Sequence, residues 1–313
     1  MPAESPSFDS KALTALVERN VDSRPTTELW RCAHLSTVLA LELEDGRRIV
    51  VKIRPFTERL VGCSQTHRLM WSAGLPCAAP QGEPAVIDGQ FVTMESLVED
   101  GTTCDVAPES SARAAAELAR FVSIAPAVSA VSSLHPPPPW VWWNHDQGPI
   151  WPLPDDLDGD LNEHPGPAWL DEAAQRTRNR LAGHALGAPA VGHCDWEAPN
   201  VLWQNGALHA VHDWDSVVAQ PEIVIAGTAA AVHAVRGGRA GETAIPHIEQ
   251  FIRAYQEARE LPWTAADREA AWAAGLWVRC FNAKKSTLGP EGNATLARLA
   301  PEIEQRLALA GAT

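Results

Sequence analysis

The chain is poor in several things. It has a single tyrosine in 313 residues, no C-x-x-C pair among its six cysteines, no basic surplus and no apolar run long enough to cross a bilayer. Cysteines scattered at 32, 63, 77, 104, 194 and 280 read as reduced thiols, not as a zinc or disulfide framework. The opening MPAESPSFDSKALTALVERN lacks the basic-then-apolar order of a secretory signal, so a cytoplasmic protein without membrane association is expected. With 39 Asp and Glu against 25 Lys and Arg, the formal net charge is −14. Such a field repels nucleic acid and draws in cationic small molecules. There is no internal repeat and no low-complexity tail.

What is present is ordinary globular chemistry, 45% apolar and 20% charged, in a chain long enough for two lobes. A helix is expected near residues 10–19. Two β-rich runs, STVLALEL and RRIVVKI, flank Asp45-Gly46 as a hairpin, and PAVIDGQFVTME repeats that grammar around Asp88-Gly89. Between them, 64–73 fits a helix closed by Gly74 and Pro76. After Met94 the texture changes. SSARAAAELARFVSIA is helical by propensity, 136–168 is too rich in proline for regular structure, and a further helix starts near Trp169. Beyond a hairpin at Asn205-Gly206, helices are expected at 222–236, 246–259, 264–287 and 291–309, with Thr264 and Asp267 as a capping box. The expected organisation is a small β-rich lobe, 1–95, followed by a larger helical lobe, 96–313.

One stretch, VGHCDWEAPNVLW, crowds His193, Asp195 and Asn200 between apolar flanks, and Asp213-Trp214-Asp215 follows 13 residues after Asn200. The Asn205-Gly206 turn folds Asp213 back beside Asn200. An Asp and an Asn side by side offer hard oxygen ligands of the kind Mg²⁺ takes while it keeps waters and phosphate oxygens. Asp195 would face the same space and could accept a proton from a hydroxyl. Lys52, in IVVKI, places a point charge on a strand where it can hold phosphates. Two other readings use the same letters: a metal-dependent hydrolase ligated by His193, Asp195, His212, Asp213 and Asp215, and a non-catalytic nucleotide-binding module.

These motifs resemble the aminoglycoside phosphotransferase family, relatives of the protein kinases. The resemblance runs in order from about Ser36 to Trp277. It implies an α+β, bilobal, protein-kinase-like fold using ATP and Mg²⁺, with no nucleic acid or membrane partner. By it, Asp195 is the catalytic base, His193 buttresses its loop, Asn200 and Asp213 hold Mg²⁺, and Lys52 binds the α- and β-phosphates. The backbone of Glu95 and Leu97 would read the adenine edge, and Ser36, with Thr37, would touch phosphate. The implied acceptor is a hydroxyl on a small, cationic molecule, an aminoglycoside or other basic antibiotic, or else a metabolite such as choline or methylthioribose. The chain departs from the pattern in three places. CAHLSTV contains no glycine where a Gly-rich loop would lie, Cys194 follows His193, and Gln65 and His67 stand where an acid should pair with Lys52, leaving Glu58 as the nearest acid in sequence.

Thirteen tryptophans are conspicuous. Most are expected in packing, while Trp140, Trp142, Trp143 and Trp151 in the Pro-rich segment could instead wall a substrate pocket. Asp156, Asp158 and Asp160 alternate as in a Ca²⁺ loop, but Gly159 comes two positions early. A solvated acidic loop is the expectation, with attraction of a polycationic substrate as its functional version.

Overall fold

The computed structural model describes residues 11–33, 36–103, 108–156, 159–234, 243–289 and 292–313. The order is α1 (Lys11–Val21), β1 (Pro25–Ala33), β2 (Thr37–Leu43), β3 (Arg48–Pro55), α2 (Glu58–Ser72), β4 (Ala85–Ile87) and β5 (Gln90–Ser96). Then come α3 (Pro108–Ile124), α4 (Ala168–Ala182), β6 (Pro189–His193), β7 (Val201–Gln204), β8 (Ala207–Val211), β9 (Val217–Pro221) and α5 (Glu222–Val232). The chain ends with α6 (Ile245–Ala258), α7 (Ala265–Ser286), α8 (Gly292–Leu299) and α9 (Ile303–Leu309).

The first five strands form an antiparallel sheet in the order β1-β2-β3-β5-β4. Strand alternation puts Leu39, Leu41, Ile49, Val51, Ile53, Val92 and Met94 on one face, where α1 covers them with Leu13, Leu16, Val17 and Val21. Helical spacing and strand spacing thus meet in one small core. Asp88-Gly89 and Asn205-Gly206 both take positive φ, the backbone that two-residue hairpin loops require and that these residue pairs tolerate.

The second, larger core is helical. α5 is buried on every side and lies against α7, where a Cβ on Gly227 would stand 2.0 Å from the Ala271 carbonyl oxygen. The capping box is present: the Asp267 N–H donates to Thr264 Oγ1 at 3.2 Å, and the Thr264 N–H donates to Asp267 Oδ2 at 2.7 Å. α2 contributes Cys63 and Met70 to this second core, which ties it to the helical side.

Several elements differ from expectation. β1, PTTELWRCA, was not anticipated: its polar, largely exposed residues carry no alternating apolar signal because it is an edge strand. α2 begins at Glu58, directly after Pro55 ends β3, and not near residue 64. The last expected helix is split at Pro301 into α8 and α9. The acidic 155–160 loop is not simply solvated. Asp156 forms an ion pair with Lys285 at 2.7 Å, and Asp160 Oδ1 accepts the Asn162 N–H at 2.8 Å, while Asp158 lies outside the described residues. The five described cysteines form no disulfide, and among the described residues no helix is long and apolar enough to cross a membrane.

Candidate active site

The site is assembled by two small antiparallel pairs in the helical lobe and one strand of the sheet above them. β6 pairs with β9, placing His193 opposite Val217, and the β7–β8 hairpin places Val201 opposite Val211. The His212 N–H donates to the Asn200 carbonyl at 2.8 Å, so Asn200 and Asp213 end up at neighbouring ends of one hairpin, as the turn signal implied. Asp213 itself is left-handed (φ 58°, ψ 56°), a conformation Asp accepts more readily than most side chains.

His193 is fully buried and holds this corner together. Its Nε2 donates to the His212 carbonyl at 2.9 Å and to the Asp213 carbonyl at 3.1 Å, which assigns the proton to that nitrogen. Burial lowers its pKa and keeps the ring neutral. An aromatic stack continues outward: Phe121 lies 5.9 Å from both Trp196 and Trp214, and Trp214 stacks on His67 of α2 at 4.4 Å. Trp196 is anchored through Nε1 to the Ala114 carbonyl at 3.0 Å. Cys194 points into the core at 0% exposure, which is why a side chain is tolerated after His193.

Lys52 reaches down from β3. Its Nζ lies 2.5 Å from Asp213 Oδ1 and 2.8 Å from Asp215 Oδ2. Burial alone would lower its pKa, but the Asp215 and Asp213 carboxylates outweigh it and raise the value. For Asp213 burial pushes upward, yet Lys52 and the Ser216 hydroxyl, 2.8 Å from Oδ2, hold it well below the usual range. The partner of Lys52 is therefore the D-W-D segment and not Glu58. Gln65 instead accepts the Ser132 N–H at 2.6 Å, and His67 bonds the Ala78 carbonyl at 2.8 Å.

Asp195 sits on the other side. Asn200 Nδ2 donates to its carboxylate at 2.9 Å and to its main-chain oxygen at 3.0 Å. Burial, then the nearby charge of Asp213, pushes the Asp195 carboxyl up to about 7. Glu197, which sequence reading passed over, hydrogen-bonds with Asp195 and is pushed higher still, first by burial and then by that neighbour.

Two cavities meet here. One, of about 270 Å³, is lined at its outer end by Trp30, Leu97 and the paired Val50 and Glu95, and at its inner end by Asp213 and the paired Val38 and Lys52. The other, of about 760 Å³, contains Ser36, Lys52, Asp195 and Asp213 and is walled by Pro136–Pro139, Trp140, Trp142 and Leu153. Of the four tryptophans of the Pro-rich segment, Trp140 and Trp142 face this pocket, while Trp143 and Trp151 are in the core. Leu97 is placed at the outer end, with its N–H donated to the Arg48 carbonyl at 3.0 Å. Glu95 brings its side chain into the cavity, where burial raises its carboxyl to about 7 against the pull of Lys52. Trp30 and Arg54 were both missed. Trp30 belongs to the unanticipated β1, whereas Arg54 could have been found by counting two residues on from Lys52 along the strand.

The narrow cavity suits a purine with its phosphates: an apolar end, then a cation. The donors suit Mg²⁺ as well. Asn200 commits its amide nitrogen to Asp195 and offers its oxygen, and Asp213 supplies a carboxylate. That is a set of two hard ligands to which phosphate and water add the rest. The hydrolase arrangement does not form: His193 is spent on backbone carbonyls, and no three His, Cys, Asp or Glu side chains among the described residues converge to hold a metal.

A five-stranded antiparallel lobe over a helical one, with a strand lysine facing a carboxylate in the cleft between them, is a protein-kinase-like fold. The model of the phosphotransferase enzyme family matches residues 34–224, and the chain belongs to that family. No curated protein matches the sequence. Among solved structures it is similar to amicoumacin kinase hAmiN in complex with AMP-PNP, Ca²⁺ and Ami, at 13% identity and TM-score 0.59 over 95% of this chain and 94% of that one. It is also similar to an aminoglycoside phosphotransferase from Alicyclobacillus acidocaldarius, at 13% identity and TM-score 0.55 over 95% and 94%. A thermostable mutant of the aminoglycoside phosphotransferase APH(4)-Ia, with ADP and hygromycin B, aligns at 12% identity and TM-score 0.56 over 98% and 99%.

Proposed function

We propose that this protein is a cytoplasmic, ATP- and Mg²⁺-dependent O-phosphotransferase acting on a hydroxyl of a small, cationic molecule. Residues 1–95 would form the nucleotide-binding lobe, and 96–313 would carry the base and the acceptor pocket. The observation that carries the reading is the junction of the two cavities: Lys52 and Asp213 line both, and Asp195 lies on the acceptor side of that junction.

The chemistry follows from what each side chain can do there. The Asp195 carboxylate orients the acceptor hydroxyl and takes its proton as the oxygen attacks the γ-phosphorus. One O–P bond forms, the bond to the β–γ bridging oxygen breaks, and ADP leaves. A carboxyl near 7 is well matched to proton transfer at neutral pH. Lys52, given up by Asp213 to phosphate, fixes the nucleotide. Asn200 and Asp213 are the residues that would hold Mg²⁺, which when bound offsets charge on the phosphates. A cationic acceptor is supported by Asp155, Trp140 and Trp142 in the lining of the larger cavity, since an ammonium placed over an indole face gains about 0.5–2 kcal/mol. The net charge of −14 favours its approach.

ADP release with Mg-ATP, measured across basic antibiotics and small amino-alcohols for wild type and Asp195→Asn, tests this. Asp195→Asn should lower kcat by roughly 10²–10⁴ with nucleotide affinity within about threefold of wild type. Near-normal turnover in the variant would remove Asp195 as the base. Tight ATP binding with no release for any compound would favour the non-catalytic module.

A further inference from the structure

β3 has two faces. Ile49, Val51 and Ile53 enter the core of the small lobe, while Val50, Lys52 and Arg54 face the cleft. Along that second face the surroundings change in order. Val50 lines only the narrow cavity, whereas Lys52 and Arg54 line both cavities. The strand starts at the outer end, where Arg48 accepts the Leu97 N–H, and runs toward the acceptor pocket. Arg54 therefore stands about 6.6 Å beyond Lys52, on the side where phosphate would meet acceptor.

Arg54 is an unusual residue to find there. It is 7% exposed, is ion-paired through Nη1 to Asp215 Oδ2, and lies over the Phe91 ring with its guanidinium carbon 5.9 Å from the centroid. Its buried Nε has no hydrogen-bond partner among the described residues. A buried guanidinium with an unfilled donor is costly. Its one carboxylate partner among the described residues is shared, since Asp215 Oδ2 also receives Lys52 at 2.8 Å. The segment that would cover a bound phosphate, CAHLSTV, contains no glycine. Side-chain donors on β3 are then the natural substitute for backbone ones.

We propose that Arg54 is a second phosphate-binding cation, which takes the terminal phosphate of the nucleotide at the acceptor end of the cleft and so selects triphosphate over diphosphate. This rests on the nucleotide reading of the cleft. A planar guanidinium can give two parallel N–H bonds to a phosphate, which a lysine cannot.

Binding of AMP-PNP and of ADP, each with Mg²⁺, would be measured by calorimetry on wild type, Arg54→Gln, Arg54→Lys and Asp215→Asn, with thermal melts to confirm folding. No acceptor is needed. Arg54→Gln should weaken AMP-PNP about tenfold while ADP changes less than about threefold, and Arg54→Lys should recover part of the loss. Asp215→Asn, which keeps the cation and removes its protein partner, should keep the preference for AMP-PNP over ADP. Equal weakening of both nucleotides in Arg54→Gln, no weakening of either, or the same lost preference in Asp215→Asn would reduce Arg54 to an ion-pair partner of Asp215. If Arg54→Gln does not fold, an Arg54→Lys ratio equal to wild type overturns the proposal, and a reduced ratio supports it. Failure of wild type to bind either nucleotide would overturn the reading of the cleft, and this proposal with it.

Discussion

His233, just past the end of α5, makes the helical lobe sensitive to acid. The ring is buried against Phe251, with centroids 4.7 Å apart. Nδ1 lies 3.0 Å from the Ala230 carbonyl and Nε2 lies 2.8 Å from Ser111 Oγ of α3. The neutral ring satisfies both, donating from Nδ1 and accepting at Nε2. Protonation would put a charge in an apolar site and force the Ser111 hydroxyl to turn. Burial accordingly lowers the pKa from 6.5 to about 4. Between those values the unfolded chain binds more protons than the folded one, so stability rises with pH across that window. The contribution is complete above about 6.5 and is lost as pH falls toward 4. At about pH 4.5 the loss is about 2.5 kcal/mol relative to neutral pH, for this residue alone. Urea melts of wild type and His233→Gln at about pH 7.5 and about pH 4.5 isolate it, because the carboxylates titrate equally in both. Wild type should lose about 2.5 kcal/mol more than the variant on acidification. An equal loss in the two proteins would refute the reasoning.

Two other outcomes are expected. Gly227→Ala should destabilise the protein by about 1–3 kcal/mol, because a Cβ there meets the Ala271 backbone at 2.0 Å and α5 and α7 must part; an unchanged or raised Tm would contradict this. Trp142→Ala, at the wall of the larger cavity, should raise the KM of the acceptor by about tenfold and leave that for ATP alone, so a matching rise in both would place Trp142 in general packing.

The β7–β8 hairpin was legible because its information is local. Asn205-Gly206 can be read as a type I′ turn from two letters, and a two-residue turn dictates that Asn200 and Asp213 come together. His193 was legible for a similar reason, as part of a spacing with Asp195 and Asn200. β1 was not, since an edge strand exposed on most of its length needs no apolar alternation, and with it went Trp30. The start of α2 was also obscure: its buried face mixes Arg59, Thr66 and His67 with Leu60, Cys63 and Met70, so no apolar stripe marks the helix.

The partner of Lys52 shows the division best. In sequence the nearest acid is Glu58, and the helix that follows offers Gln65 and His67. In space the lysine meets Asp213 and Asp215, 161 and 163 residues away, because β3 crosses directly above the β8–β9 corner. The order of motifs, the two-lobed division of elements and the turn that closes the hairpin were determined by the sequence alone, through short-range backbone preferences and apolar spacing. Which charges neutralise which, that Trp140 and Trp142 face a pocket while Trp143 and Trp151 pack the core, and that Arg54 stands at the junction of two cavities were decided only by tertiary structure. Electrostatic and packing partners depend on distance in space, and distance along the chain does not encode it once the two lobes close on each other.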